Sequence, residues 1–286
     1  VSKKSSGTPA PETALSPDIA QLQNELNQPK WMAAMDAGEA TKDSVLEALP
    51  KKRIIDGDKF ILPTDPLAYR NILIKDNVVD METCKLYCEH ATTNLQWLQP
   101  LEVYTEQEGE YKAKIATDTR DTFKVPSEEL SEITRELFFN IMTNHVEPFF
   151  NAKVEWWEEP VLMLYFEGGK FEAHADAEEI RFDAKGVPAW TKVVNRDISL
   201  LLYLSDSFTG GMLSFPHYNI KINPTPGLLV AFPSSGQYLH AAEPTESGAR
   251  LVLVSWLATK GSARVVKKKN PQHIYRTEFE NPSSAP

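Results

Sequence analysis

Long apolar runs, cysteine and excess positive charge are all scarce in this chain of 286 residues. No stretch stays apolar for the roughly 20 residues that a helix needs to cross a bilayer, so a helical membrane span is excluded. With only Cys84 and Cys88, a cysteine-built zinc site and a disulfide framework are excluded as well. The two thiols lie four residues apart in a segment that reads as helix, so they share a face without disulfide geometry. They are expected as buried, reduced thiols. Reduced thiols, and a first segment (residues 1–11) without the apolar core of a secretion signal, point to a cytoplasmic protein. Lys and Arg number 30 against 40 Asp and Glu, a net charge of −10, which makes a long polyanion such as duplex DNA a poor partner. The one concentrated basic run, 264–269, reads as part of a solvated tail.

What is present is the composition of a globular protein, 42% hydrophobic and 24% charged, enough for one large domain with extensions. Residues 1 to about 17 are rich in Ser, Pro, Thr and Lys and are expected to be disordered. Ile19, Leu22 and Leu26, then Val45, Leu46 and Leu49, recur at helical spacing but are too few to build a core. The expected organisation is an N-terminal extension over 1–66 that docks on the main domain or on a protein partner, a domain over 67–262, and a basic tail over 263–286. Within the domain, 71–77 reads as a strand and Asp80 caps a helix running to about Leu95. Ser127 opens a second helix with the stripe Leu130, Ile133, Leu137, Phe138 and Ile141, which ends before Pro148.

Beyond Lys153 the pattern changes to short strands between Gly, Pro and Asn turns, eight of them from 161–166 to 251–257. Their connections are too short for crossover helices, which predicts a mainly β architecture, an antiparallel sandwich or barrel with flanking helices. The run 198–204 is apolar on both faces and is expected at the centre. The polar stretch 177–195 reads as a loop at the barrel mouth, a usual place for function.

His174-Ala-Asp176 lies in one of these strands, where alternate side chains share a face, so imidazole and carboxylate converge. Such a pair suits a divalent metal, and a second His from another strand would complete a facial triad with open positions. His240, in a late strand, is the candidate; His217 reads as a surface imidazole at a turn, and His90, His145 and His273 sit in helices or tail. Ten residues after His240, Arg250 begins the strand 250–257, which is apolar on both faces. An unpaired guanidinium there would cost several kcal/mol, about the penalty of any uncompensated buried charge. Its partner is either a protein carboxylate or the carboxylate of a ligand, which the planar fork binds bidentately.

The stretch Tyr165-Phe-Glu-Gly168-Gly-Lys-Phe171-Glu-Ala-His174-Ala-Asp176 resembles the metal-binding signature of the prolyl 4-hydroxylase-like 2-oxoglutarate/Fe(II)-dependent dioxygenases. The resemblance continues through Arg196, Tyr203, Gly210-Gly211, Phe215-Pro216, Pro226-Gly227 and Phe232-Pro233 to His240, Arg250 and Trp256-Leu257. It implies a double-stranded β-helix (jelly roll), α+β overall, covered by N-terminal helices. It also implies Fe(II) on His174, Asp176 and His240, with the distal carboxylate of 2-oxoglutarate on Arg250 and on the hydroxyl of Tyr165. The co-substrates it implies are 2-oxoglutarate and O2, with ascorbate as an optional reductant, and no catalytic side chain beyond the ligands. Since Asp176 is retained, hydroxylation is favoured over halogenation, with succinate and CO2 released. A peptidyl residue, often proline, is the leading substrate class and a free amino acid or small metabolite the second. A structural or assembly protein carrying an oxygenase-like barrel is the reading of another class.

Overall fold

The computed structural model describes residues 71–107, 110–182, 184–265 and 273–280. The expected helices between residues 18 and 49, like the whole 1–66 extension, lie outside the described residues. Asp80 does cap helix α1 (Met81–Thr93), its carboxylate accepting from the Thr83 amide at 2.7 Å. Ser127 starts a three-residue 3-10 turn but makes no side-chain cap, and α2 (Ser131–Ile141) follows. The helix does not stop before Pro148. A π-turn (Met142–Val146) resets the register, and α3 (Glu147–Phe150) takes the proline in its first turn, where a missing N–H costs little. Ile133, placed in the buried stripe by spacing, is exposed.

The early strands are β1 (Leu73–Lys75), β2 (Gln99–Pro100), β3 (Val103–Gln107), β4 (Glu110–Lys114) and β5 (Phe123–Lys124). After the helices come β6 (Val154–Glu158), β7 (Val161–Tyr165), β8 (Phe171–His174), β9 (Glu178–Phe182), β10 (Pro188–Lys192), β11 (Ile198–Tyr203) and β12 (Phe208–Gly210). The remainder are β13 (Leu213–Phe215), β14 (Ile220–Ile222), β15 (Leu229–Pro233), β16 (His240–Ala242), β17 (Thr245–Gly248), β18 (Arg250–Thr259) and β19 (His273–Tyr275), with α4 (Thr277–Glu280) last.

A major sheet runs β1-β15-β11-β18-β7-β5-β2, with β6 joined to the far half of β18 and β19 joined to β6, and a minor sheet runs β14-β13-β16-β8. Every pairing in both sheets is antiparallel. This is the jelly-roll arrangement, drawn as two facing sheets rather than a closed ring. Period-2 alternation separates two cores. Leu200 and Leu202 of β11 and Leu251, Leu253 and Leu257 of β18 point outward, where Tyr87, Phe138 and Met142 of the helical layer cover them. Tyr203, Val252 and Val254 point inward, against Leu213, Phe215 and Ile222 of the minor sheet. Each fully buried leucine contributes about 1.5–3 kcal/mol of apolar transfer, so both faces of β11 and β18 hold the layers together.

Three further expectations are corrected. Residues 178–192 form a hairpin, β9 against β10, and not an open loop. Its strands form a two-stranded sheet with each other, and neither is fully buried, so their mostly polar sequence masked the alternation. His217 is buried, with its Nδ1 3.2 Å from the Gln237 carbonyl, because its turn lies under the 3-10 turn Gly236–Tyr238. The C-terminal segment is not all solvated tail: Arg264 pairs with Glu155 and Asp197, and β19 extends the major sheet.

Candidate metal centre and co-substrate pocket

His174 and His240 are direct cross-strand partners on β8 and β16, and Asp176 follows two residues after His174. The donor atoms of all three lie within 4.8 Å of one another, the one such group among the described residues. His174 Nε2 stands 3.5 Å from one Asp176 carboxylate oxygen, and His240 Nε2 stands 3.5 Å from the other. Each imidazole donates its Nδ1–H to a backbone carbonyl, His174 to Glu172 at 2.8 Å and His240 to Tyr238 at 3.0 Å. A carbonyl only accepts, so these bonds fix the tautomer and leave both Nε2 lone pairs aimed at one point.

Electrostatics support the same use. Burial would raise the Asp176 carboxyl, but His240, His174 and Arg196 outweigh it and hold the group well below the usual carboxylate range. Burial pushes His240 down to about 4, so the imidazole is neutral and able to ligate at neutral pH. Ser199 donates to Asp176 Oδ2 at 2.5 Å and shares a 2.8 Å hydrogen bond with Ser234. These two serines were not singled out from the sequence, although Ser199 is conspicuous as a small polar residue inside the apolar run 198–204. Arg196, quoted only as part of the resemblance, is held by Glu158 through two bonds of 2.6 and 2.7 Å and lies 3.7 Å over the Trp256 ring.

The group opens into a cavity of about 440 Å³ lined by Tyr165, Tyr203, Arg250 and Trp256 from the major sheet. Arg250 is 1% exposed and directly opposite Tyr165 in the β18–β7 register, its guanidinium 3.9 Å over the Tyr165 ring. It donates to the Gly211 carbonyl, while its Nε has no partner, and among the described residues no carboxylate pairs with it. The structural salt bridge left open by the sequence is therefore not found among the described residues. An orphaned buried donor on a guanidinium, in the cavity that holds the triad, fits the free end of a dicarboxylate. Tyr203 reaches the same neighbourhood: burial drives its phenol pKa up, and the Arg250 charge offsets only part of that. A larger recess of about 700 Å³, beside Glu128, Arg135 and His273, lacks such a group, since Arg135 is spent on Glu159.

Comparison with known proteins agrees with this geometry. Residues 161–258 match the 2OG-Fe(II) oxygenase superfamily, and that segment holds His174, Asp176, His240, Arg250 and Tyr165. It is an oxygenase domain of that superfamily, whose members use Fe(II), 2-oxoglutarate and O2, and the chain is a 2-oxoglutarate-dependent dioxygenase. A comparison with curated proteins gives no match. Among solved structures, a Pseudomonas putida prolyl-4-hydroxylase is similar at 19% identity and TM-score 0.45, over 67% of this chain and 94% of that one. A Trichoplax adhaerens prolyl hydroxylase, solved with a hypoxia inducible factor peptide fragment, gives 13% and 0.46 over 82% and 95%. A viral collagen prolyl hydroxylase from Paramecium Bursaria Chlorella virus-1, in its 2OG complex, gives 16% and 0.44 over 66% and 97%.

Proposed function

We propose that this dioxygenase hydroxylates a C–H bond of a peptidyl residue in the manner of a prolyl hydroxylase, releasing succinate and CO2. In this reading His174, Asp176 and His240 hold Fe(II), and Arg250 binds the distal carboxylate of 2-oxoglutarate, with Tyr165 beneath the guanidinium. The observation that carries it is a preset His/Asp/His group sharing one cavity with a buried Arg250 that pairs with no carboxylate among the described residues. Bound together, Fe(II), 2-oxoglutarate and O2 supply the oxidising power. The chain's own part is positional. The backbone carbonyls of Glu172 and Tyr238 hold the imidazoles in the ligating tautomer. Ser199 holds Asp176 in place, and the apolar walls Val252 and Val254 keep water from the reacting end.

The test is succinate release by the full chain with Fe(II) and 2-oxoglutarate, against proline-containing peptides, free amino acids and no substrate. Stimulation by peptides above the uncoupled rate is expected. Stimulation by free amino acids alone would move the reading to a metabolite hydroxylase. No succinate in any arm, from protein that binds Fe(II), would leave the structural or assembly reading in its place.

A further inference from the structure

Of the described arginines, Arg135, Arg181, Arg196, Arg264 and Arg276 each lie within ion-pair distance of a carboxylate. Arg120 and Arg250 do not, and these two line the cavity at the metal centre. One anion-hungry group is met by the distal carboxylate of the co-substrate. The second is left over.

Arg120 reaches the site through a local device. Its backbone forms an isolated bridge to Phe171 at the start of β8, three residues before His174. The guanidinium lies 4.5 Å over the Phe171 ring, and that ring stacks on the His174 imidazole at 3.7 Å. The charge is thus one aromatic ring away from the metal group. Its partners are weak and neutral: the Glu102 carbonyl at 3.3 Å and the Met163 sulfur at 3.5 Å. Its Nε is buried with no partner. Burial pulls the guanidinium pKa down, and the attraction of Tyr165 and Asp176 does not make up the difference. A part-buried guanidinium with a sealed, unpartnered Nε, which no carboxylate among the described residues neutralises, is costly unless an anion arrives with the ligand.

We propose that Arg120 is a specificity residue that binds a carboxylate carried by the oxidised substrate, next to the C–H bond that reacts. This rests on the oxygenase reading above and narrows its substrate class to molecules with a carboxylate there. That carboxylate is either the α-carboxylate of a free amino acid or peptide C-terminus, or an acidic side chain. A neutral internal residue of a peptide would leave Arg120 unpaired.

The experiment uses the full chain loaded with Co(II) and saturating 2-oxoglutarate under anaerobic conditions. It is titrated by calorimetry or NMR with N-acetylglycine, its neutral amide N-acetylglycinamide, and N-acetyl-aspartate α-amide. At least one carboxylate probe should bind about tenfold or more tightly than the neutral amide, as loss of a charge-assisted contact implies. Whichever acid binds better identifies the source of the carboxylate. Arg120→Gln should abolish the preference while changing 2-oxoglutarate affinity less than about twofold, and Arg120→Lys should keep part of it. Equal binding of acids and amide, absence of acid binding, or a preference that survives in Arg120→Gln overturns the proposal. A matching loss of 2-oxoglutarate affinity in Arg120→Gln also overturns it, by making Arg120 a co-substrate residue. Failure of the oxygenase reading shows up separately, as absence of 2-oxoglutarate binding in the wild type.

Discussion

At the scale of single residues, Arg250 decides most. Its guanidinium is buried with one carbonyl acceptor and an orphaned Nε, so on the proposed reading truncation removes a ligand contact, and it breaks no salt bridge among the described residues. Arg250→Met is expected to weaken 2-oxoglutarate binding by about 2–5 kcal/mol, the cost of a charged pair broken at a buried site. That is roughly 30-fold to several thousand-fold in affinity, with metal binding little changed. Arg250→Lys keeps the charge and loses the fork, so its affinity should fall between the two. Anaerobic titration of the Fe(II)-loaded proteins measures all three, and equal affinities would remove the co-substrate assignment. His174→Ala and His240→Ala, by contrast, are expected to abolish stoichiometric Fe(II) binding in equilibrium dialysis while the circular dichroism of the fold persists. Full metal occupancy in either variant would count against the triad. Cys84, with burial pushing its thiol up to about 11, is too poor a thiolate for chemistry and belongs to the outer core.

Elements bring these residues into register, and two small features hold the elements. The β9–β10 hairpin is docked at the turn after β15: Trp190 lies so close over Gly236 that a Cβ there would meet its ring at 2.0 Å, and Glu178 accepts from the Gly236 amide at 2.8 Å. Gly236→Ala must therefore expel the indole. The expected outcome is a change in tryptophan emission and faster limited proteolysis within 178–192, at a stability cost of about 1–3 kcal/mol. Unchanged proteolysis would show that the hairpin does not depend on this seat. Asp197, just before β11, gathers β10 and the end of β18: it accepts from Lys192 at 2.5 Å, the Thr259 amide at 2.7 Å and Ser262 at 2.5 Å. Burial works against its charge, but these donors prevail and hold its carboxyl below the ordinary 3.8. A depressed carboxylate pKa adds stability that is complete above 3.8 and is lost as pH falls from there through the folded value. Asp197→Asn should lower the melting temperature at pH 7 and flatten the acid limb below pH 4 relative to wild type. An acid limb of unchanged slope would assign that loss to other carboxylates.

For the whole molecule, the C-terminal segment closes the structure. Ile274 is buried, Phe279 stacks on Phe139 at 4.9 Å, and Arg276 pairs with the buried Glu147. Arg276→Ala would leave Glu147 with the Lys153 ammonium at 2.7 Å and the Val154 amide at 2.9 Å. The expected loss is on the order of 2 kcal/mol, below the ~3–5 kcal/mol of a buried pair left wholly uncompensated. Denaturant unfolding reads this directly, and a midpoint equal to wild type would mean that Lys153 suffices. Among the described residues, no helix is long and apolar enough to cross a membrane.

Whatever depends on period and local chemistry could be read from the sequence. The alternation of β11 and β18, the same-face pair His174 and Asp176, the Asp80 cap and the mainly antiparallel architecture all follow from spacing and residue type. Residue type and strand position also nominated His240 and Arg250, the resemblance gave them their roles, and the structure sets them at the same cavity. Long-range proximity could not be read this way. That Arg250 meets no carboxylate among the described residues while Arg196 has Glu158, and that Arg120 stands one ring from His174, is a matter of three dimensions, the latter two with partners 38 and 51 residues distant. The β9–β10 hairpin was hidden because its strands satisfy each other and need no apolar stripe. Local sequence determines which way a side chain points along its own element. Only tertiary packing decides what it meets there, because a charge is neutralised in space and not along the chain.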